Sequence, residues 1–205
     1  MTHAPDAQPP VPLLDEVRDF LRGLTRELPE VFPSARKGRA RVIPYRGRDL
    51  ELRVVDDPSL GRSVLREEDG ELILRRSPED DAHPHDLLRA WYVDRAREAF
   101  ESRAAHWAAA MNLTYAKVRI ADQRTLWGSC TREGTLSFNW RIVMASPETL
   151  DYLVIHELAH LREMNHSSRF WAIVTVHCPD WKTHRRWLRD HSRRLKTTVR
   201  RARRG

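Results

Sequence analysis

The stretch from Ser146 to Leu161 constrains this chain more than any other. Leu150, Leu153, Val154, Leu158 and Leu161 cover most of a helical circumference, so the helix has to be largely buried. Its start is signalled by Ser146-Pro147-Glu148. Serine caps a helix, proline suits the first helical position, and an acid complements the positive end of the dipole. Mid-helix, the same segment carries His156-Glu157-Leu158-Ala159-His160. Residues four apart lie on one face, one turn from each other. His156 and His160 can therefore bind one Zn²⁺ at about 2.0–2.1 Å. Glu157, about 100° further round the helix, can reach a metal-bound water without ligating the ion. Burying these three polar side chains is costly without partners, and a metal supplies one.

A catalytic zinc takes a third protein ligand and keeps one position open. His166 follows His160 with five residues between. Asn165 precedes it and tolerates the left-handed conformation that ends helices, so the chain can turn there and lay His166 over the metal. Glu163, His177, Asp180 and His184 are the other candidates. The motif is that of zinc hydrolases. Metzincins share the five-residue gap, but Glu163 stands where they carry glycine and no methionine turn follows, so that reading is rejected.

The rest of the chain supplies partners for the buried helix. Residues 1–12 read as a disordered lead, and Leu13, Val17, Leu21, Leu24 and Leu28 as a helix stopped by Pro29. The period then changes to two. Leu50, Leu52 and Val54 follow the turn-like Tyr45–Arg48, and segments 63–66 and 71–75 flank Glu68-Asp69-Gly70, which predicts antiparallel hairpins. A long helix is expected from Asp86 to Met111, with Leu87, Leu88, Trp91, Ala99 and Trp107 on its apolar face. Val118 and Ile120 suggest a strand. Leu136–Ile142 reads as a half-buried strand entered through Arg132-Glu133-Gly134. A helix over 168–177 stops before Pro179. One last helix docks through Trp181, Leu188 and Leu195, leaving Arg185, Arg189 and Arg193 outward.

Charge is unevenly placed. Residues 182–205 hold eleven Lys/Arg against Asp190 alone, while the other 181 residues are net −3. A cationic end on a neutral-to-acidic globule disfavours a wholly basic nucleic-acid-binding domain and leaves two readings of that end, a sequence-independent contact with nucleic-acid phosphates or a solvated helical face with a solubility tail. No apolar run approaches a membrane span, and residues 1–12 lack the pattern of a secretory signal, so the expectation is a cytoplasmic protein without a membrane partner. Cys130 and Cys178 alone cannot build a disulfide framework or a four-cysteine zinc ribbon, and read as reduced core thiols.

Several motifs occur together in one order: Trp127-Gly128-Ser129-Cys130, Phe138-Asn139-Trp140-Arg141, the His156–His160 helix, Asn165-His166-Ser167, Phe170-Trp171 and Pro179-Asp180. The sequence closely resembles the YgjP-like metallopeptidase domain (DUF45), which is similar to SprT-like and Wss1-like zinc proteases. The resemblance runs from about Arg41 to Leu195. It implies His156, His160 and His166 as zinc ligands, Glu157 as general base, and a protein or peptide substrate. The expected fold is α+β: a minimal zincin-like core, with a small antiparallel sheet packed on the His-Glu-x-x-His helix, N-terminal β-hairpins and a C-terminal helix. Residues 1–40 are expected to form an extension, 41–195 the domain (hairpins over 41–85, zincin core over 86–195) and 196–205 a basic tail. An extended peptide is expected along Leu136–Ile142 as a sheet edge, with Trp127 and Asn139 as cleft candidates and Tyr152 and Arg141 as oxyanion candidates. The alternative is a non-catalytic, zinc-stabilised module binding nucleic acid or protein.

Overall fold

A computed structural model of the chain describes residues 42–82 and 84–199. The expectations for residues 1–41 and for 200–205 lie outside them. Strands β1 (Val42–Tyr45) and β2 (Arg48–Asp56) form one antiparallel hairpin, β3 (Val64–Glu68) and β4 (Glu71–Arg76) another. The two-residue loops, Arg46-Gly47 and Asp69-Gly70, have positive φ at both positions (49° and 76°, 51° and 85°). That geometry matches the right-handed twist of the strands. The hairpins join through a parallel pairing of β2 with β4, in the order β1-β2-β4-β3. Leu50 and Leu52 of β2 are buried, as are Leu72 and Leu74 of β4.

Helix α1 (Pro84–Ala110) buries Leu88, Tyr92, Ala96, Phe100, Ala104 and Ala108, one residue per turn. Of the face expected from the sequence, Leu88 and Trp91 are buried, while Leu87, Ala99 and Trp107 flank the stripe half-buried. The second sheet holds β5 (Lys117–Ala121), β6 (Gly128–Cys130) and β7 (Thr135–Asn139) in the order β5-β7-β6. β6 and β7 form a hairpin through the turn at Gly134, whereas β5 lies parallel to β7. The expected antiparallel sheet is therefore mixed. β6 reverses the chain and β7 reverses it again, so β7 returns in the direction of β5.

The expected strand over Leu136–Ile142 stops at Asn139 and becomes a 3-10 turn, Trp140–Met144. The Asn139 side chain accepts from the Arg141 N–H and caps that turn. The apolar alternation runs on past the strand end because residues 140–145 are all buried. Helices α2 (Pro147–Ala159) and α3 (Ser168–His177) both begin at serine caps, with Ser146 accepting from Thr149 N–H and Ser167 from Phe170 N–H. The single helix expected at the end is two, α4 (Trp181–Asp190) and α5 (Ser192–Thr197), which break at His191, whose ring stacks on Trp187. Leu188 and Leu195 still dock, and Arg185, Arg189 and Arg193 face solvent as expected.

Helix α2 is the hub, packing against α1, the 3-10 turn, β6, α3 and α4. Arg103 of α1 holds Asp151 of α2 through two hydrogen bonds of 2.5 and 2.6 Å. Phe100 stacks on Phe138 at 4.2 Å, joining α1 to β7, and the Tyr92 hydroxyl donates to the Pro44 carbonyl. No described helix is long and apolar enough to cross a membrane. Phe100 and Phe138 are both fully buried. Phe100→Ala should therefore cost about 3–5 kcal/mol, read as a lower denaturant midpoint with an unchanged slope.

Candidate active site

One stripe of α2 is polar: Tyr152, His156 and His160, each a turn apart. The motif is not mid-helix. α2 ends at Ala159, and His160 occupies the C-cap with helical angles (φ −64°, ψ −19°). The chain then leaves through tight backbone bonds from Leu161 N–H to Leu158 O and from Arg162 N–H to Ala159 O. The Arg162 guanidinium donates to the Met111 and Asn112 carbonyls, which pins this loop to the end of α1. Asn165 is not left-handed, contrary to the sequence expectation; the reversal is made by Ser167 N–H donating to Asn165 O at 2.7 Å.

That reversal brings His166 over the helix. Its Nε2 lies 3.1 Å from Nε2 of His156. The three rings, His156, His160 and His166, are separated by 4.8 to 5.1 Å between centroids. One ring nitrogen from each falls within 4.8 Å of the others. Phe170 forms an apolar floor, its ring 4.6 to 4.9 Å from all three. Trp171 stacks on His166 and in turn on Trp181.

The donor set suits a divalent metal. Nδ1 of His160 lies 3.1 Å from the Glu163 carbonyl, which can only accept, so Nδ1 carries the proton and Nε2 the lone pair. Two nitrogens bound to one tetrahedral ion sit about 3.3 Å apart, close to the His156–His166 spacing. His156 is pushed down to about 3, first by burial and then by the neighbouring imidazoles His160 and His166 and by Arg185. Its ring is thus neutral, the form that binds a metal. Nδ1 of His156 is buried with no hydrogen-bond partner among the described residues, so only the Nε2 edge can recover the cost of burial.

The model of the YgjP-like metallopeptidase domain matches residues 15–191 of this sequence. The chain belongs to the YgjP-like metallopeptidase family. No curated protein matches it. Among solved structures, the chain is similar to the metallopeptidase zymogen of Pyrococcus abyssi, abylysin, with 26% identity over 45% of this chain and 95% of that one, at a TM-score of 0.42.

In this metallopeptidase domain, Glu157 is only 4% exposed, and burial pushes its carboxyl up to about 8. It packs against the backbone of Gly128 in β6. A Cβ at Gly128 would sit 2.9 Å from both Cγ and Cδ of Glu157 and against its Oε1. Burial raises Cys130 to about 11, helped by the Glu157 charge, and Cys178 to about 12. Both thiols are protonated near neutrality when no ion is bound; Cys178 is buried as expected of a core thiol, whereas Cys130 is only half-buried.

The other sequence candidates are placed as follows. Glu163 meets the cluster through its backbone carbonyl. His177 packs edge-on against Trp107. Asp180 and His184 bond to each other. Asn139 is fully buried, donating to Gln123 O and capping the 3-10 turn, so it is structural and not a cleft residue. Arg141 is committed to Asp122 and to the face of Trp140, whereas Tyr152 lies against His156. Trp127 is half-buried with the Lys196 ammonium over its ring. Sequence reasoning missed Gly128 and Phe170 as site-shaping residues. A lone glycine in a strand is a signal for close backbone approach.

Gly128→Ala should fold normally by circular dichroism but turn the Glu157 side chain away from β6. A crystal structure of the variant with that side chain unmoved would contradict the packing argument.

Proposed function

We propose that this metallopeptidase is a zinc-dependent endopeptidase with a minimal zincin-like core, in which His156, His160 and His166 hold the ion and Glu157 is the general base. The observation that carries the reading is the convergence of three imidazoles, one ring nitrogen of each within 4.8 Å of the others, beside one buried glutamate. His156, His160 and His166 would hold the ion, which when bound would supply Lewis-acid activation of a water and of the scissile carbonyl. Glu157, whose burial raises its affinity for a proton, accepts the proton of the attacking water and delivers it to the leaving amine. Phe170 and the Trp171–Trp181 stack keep the imidazole edges in an apolar setting, which strengthens every charge interaction there.

The sheet order moves the expected substrate edge. β7 is the central strand, so Leu136–Asn139 has no free edge to offer. β6 is at the edge and passes directly beside Glu157, so a peptide substrate is assigned to β6, by backbone pairing with little side-chain preference. A closed structural zinc site takes four protein ligands, whereas among the described residues this cluster has three with a carboxyl group alongside, which favours catalysis over a zinc-stabilised binding module.

A nucleic-acid partner at the basic end is a separate part of the proposal. Helix α5 brings Lys196 to the face of Trp127, next to β6, and four further arginines follow in the sequence after Val199. Duplex DNA should bind with a steep salt dependence that is lost on deleting residues 197–205. Absence of binding at low salt would refute it.

Glu157→Gln should retain bound zinc and lose peptide hydrolysis by about 10²–10⁴-fold, measured on a casein or peptide substrate. Undiminished hydrolysis would refute the role of Glu157. His166→Ala should bind one equivalent of zinc fewer than the native protein by metal analysis; equal content would put the third ligand elsewhere.

A further inference from the structure

The sequence offered Asp180 and His184 as alternative third ligands for the histidine cluster. The fold instead gathers them with Cys178 in a second group, where one ligand atom from each lies within 4.8 Å of the others. The Tyr152 ring touches both groups, at 5.9 Å from His156 and 6.1 Å from His184. We propose that Cys178, Asp180 and His184 form a second divalent-metal site, selective for zinc or a similar borderline ion.

The spacing fits. Cys178 Sγ is 3.5 Å from Asp180 Oδ1, and His184 Nε2 is 3.1 Å from Asp180 Oδ2. These contacts are to different oxygens of one carboxylate, and one ligand atom from each of the three residues lies within 4.8 Å of the others, a span that small side-chain rotations close onto a single ion. The donors are also presented for it. Asp180 stands at the N-cap of α4 yet makes no side-chain capping bond, unlike Ser146 and Ser167 at the starts of α2 and α3. Its carboxylate is turned to the thiol and the imidazole instead. Cys178 and His184 are largely buried, while the Asp180 side chain is 67% exposed, which gives an ion a route from solvent. Thr149 Oγ1 lies 3.1 Å from Nδ1 of His184. As the acceptor of the Nδ1 proton, that hydroxyl leaves the Nε2 lone pair aimed at the Asp180 side, the usual arrangement behind a ligating histidine.

The mixed sulfur, nitrogen and oxygen set favours zinc or cobalt over magnesium or calcium. Coordination converts the Cys178 thiol to a thiolate and releases one proton to solvent. The ion ties the turn between α3 and α4 to Thr149, at the start of the helix that carries Glu157.

The test uses the full chain, stripped by a chelator and titrated with Co²⁺ and with Zn²⁺, with bound metal counted by mass spectrometry. Two ions per chain and a near-ultraviolet thiolate-to-cobalt absorption are expected. The His156→Ala/His160→Ala variant should keep one ion and the absorption. Cys178→Ser should keep one ion and lose the absorption, whereas Cys130→Ser should change neither. Asp180→Asn, at an exposed position, should weaken the second ion by at least about tenfold, and this variant decides the matter if Cys178→Ser fails to fold. One ion per native chain, an absorption that survives Cys178→Ser, or unchanged cobalt affinity in Asp180→Asn would overturn the second site. Each site is counted in the variant that lacks the other, so failure of this inference leaves the histidine site separately readable.

Discussion

The site depends on the Glu157 side chain lying against the backbone of Gly128, in the space a Cβ there would need. A carboxylate held out of water raises its own proton affinity and destabilises its charged form, so it persists only if the surrounding structure is fixed by other means. Those means are apolar. Leu150, Leu153, Val154, Ile155 and Leu158 bury the rest of α2 among α1, β6, α3 and α4. Burial of that many aliphatic side chains, at about 1.5–3 kcal/mol each, outweighs the cost of one buried polar group.

The imidazoles follow from the same helix. His156 and His160 lie one turn apart on one face of it, so their relative position needs no further instruction than helical pitch. His166 does. Its ring reaches the other two because Arg162 fastens the loop to the end of α1, Ser167 N–H closes the turn on Asn165, and Ser167 then caps α3 so that Phe170 comes underneath. The convergence of the three imidazoles therefore depends on the seam between α1, α2 and α3 as well as on helical pitch.

The sheet sets what can approach that centre. Because β5 adds to the far side of β7, the strand with the clearest alternation is enclosed, and the short strand Gly128–Cys130 is left at the edge. Apolar alternation reports burial of one face or both, and says nothing of which strand borders solvent. The pattern through Ile142 misread the strand end for the same reason: a fully buried 3-10 turn gives the same run of apolar residues as a buried strand.

The sequence by itself determined whatever depends on neighbours along the chain. The Ser146 cap, the two tight hairpin turns, the His156–His160 spacing and the docking of Leu188 and Leu195 are of this kind, since each is fixed by local pitch, twist or polarity. Only the tertiary structure decided which distant side chains meet: Phe170 beneath the imidazoles, Gly128 against Glu157, Asn139 committed to a cap, and Asp180 and His184 drawn to Cys178. Those encounters depend on how sheets and helices stack to bury apolar area, a many-body outcome that pairwise spacing along the chain does not encode.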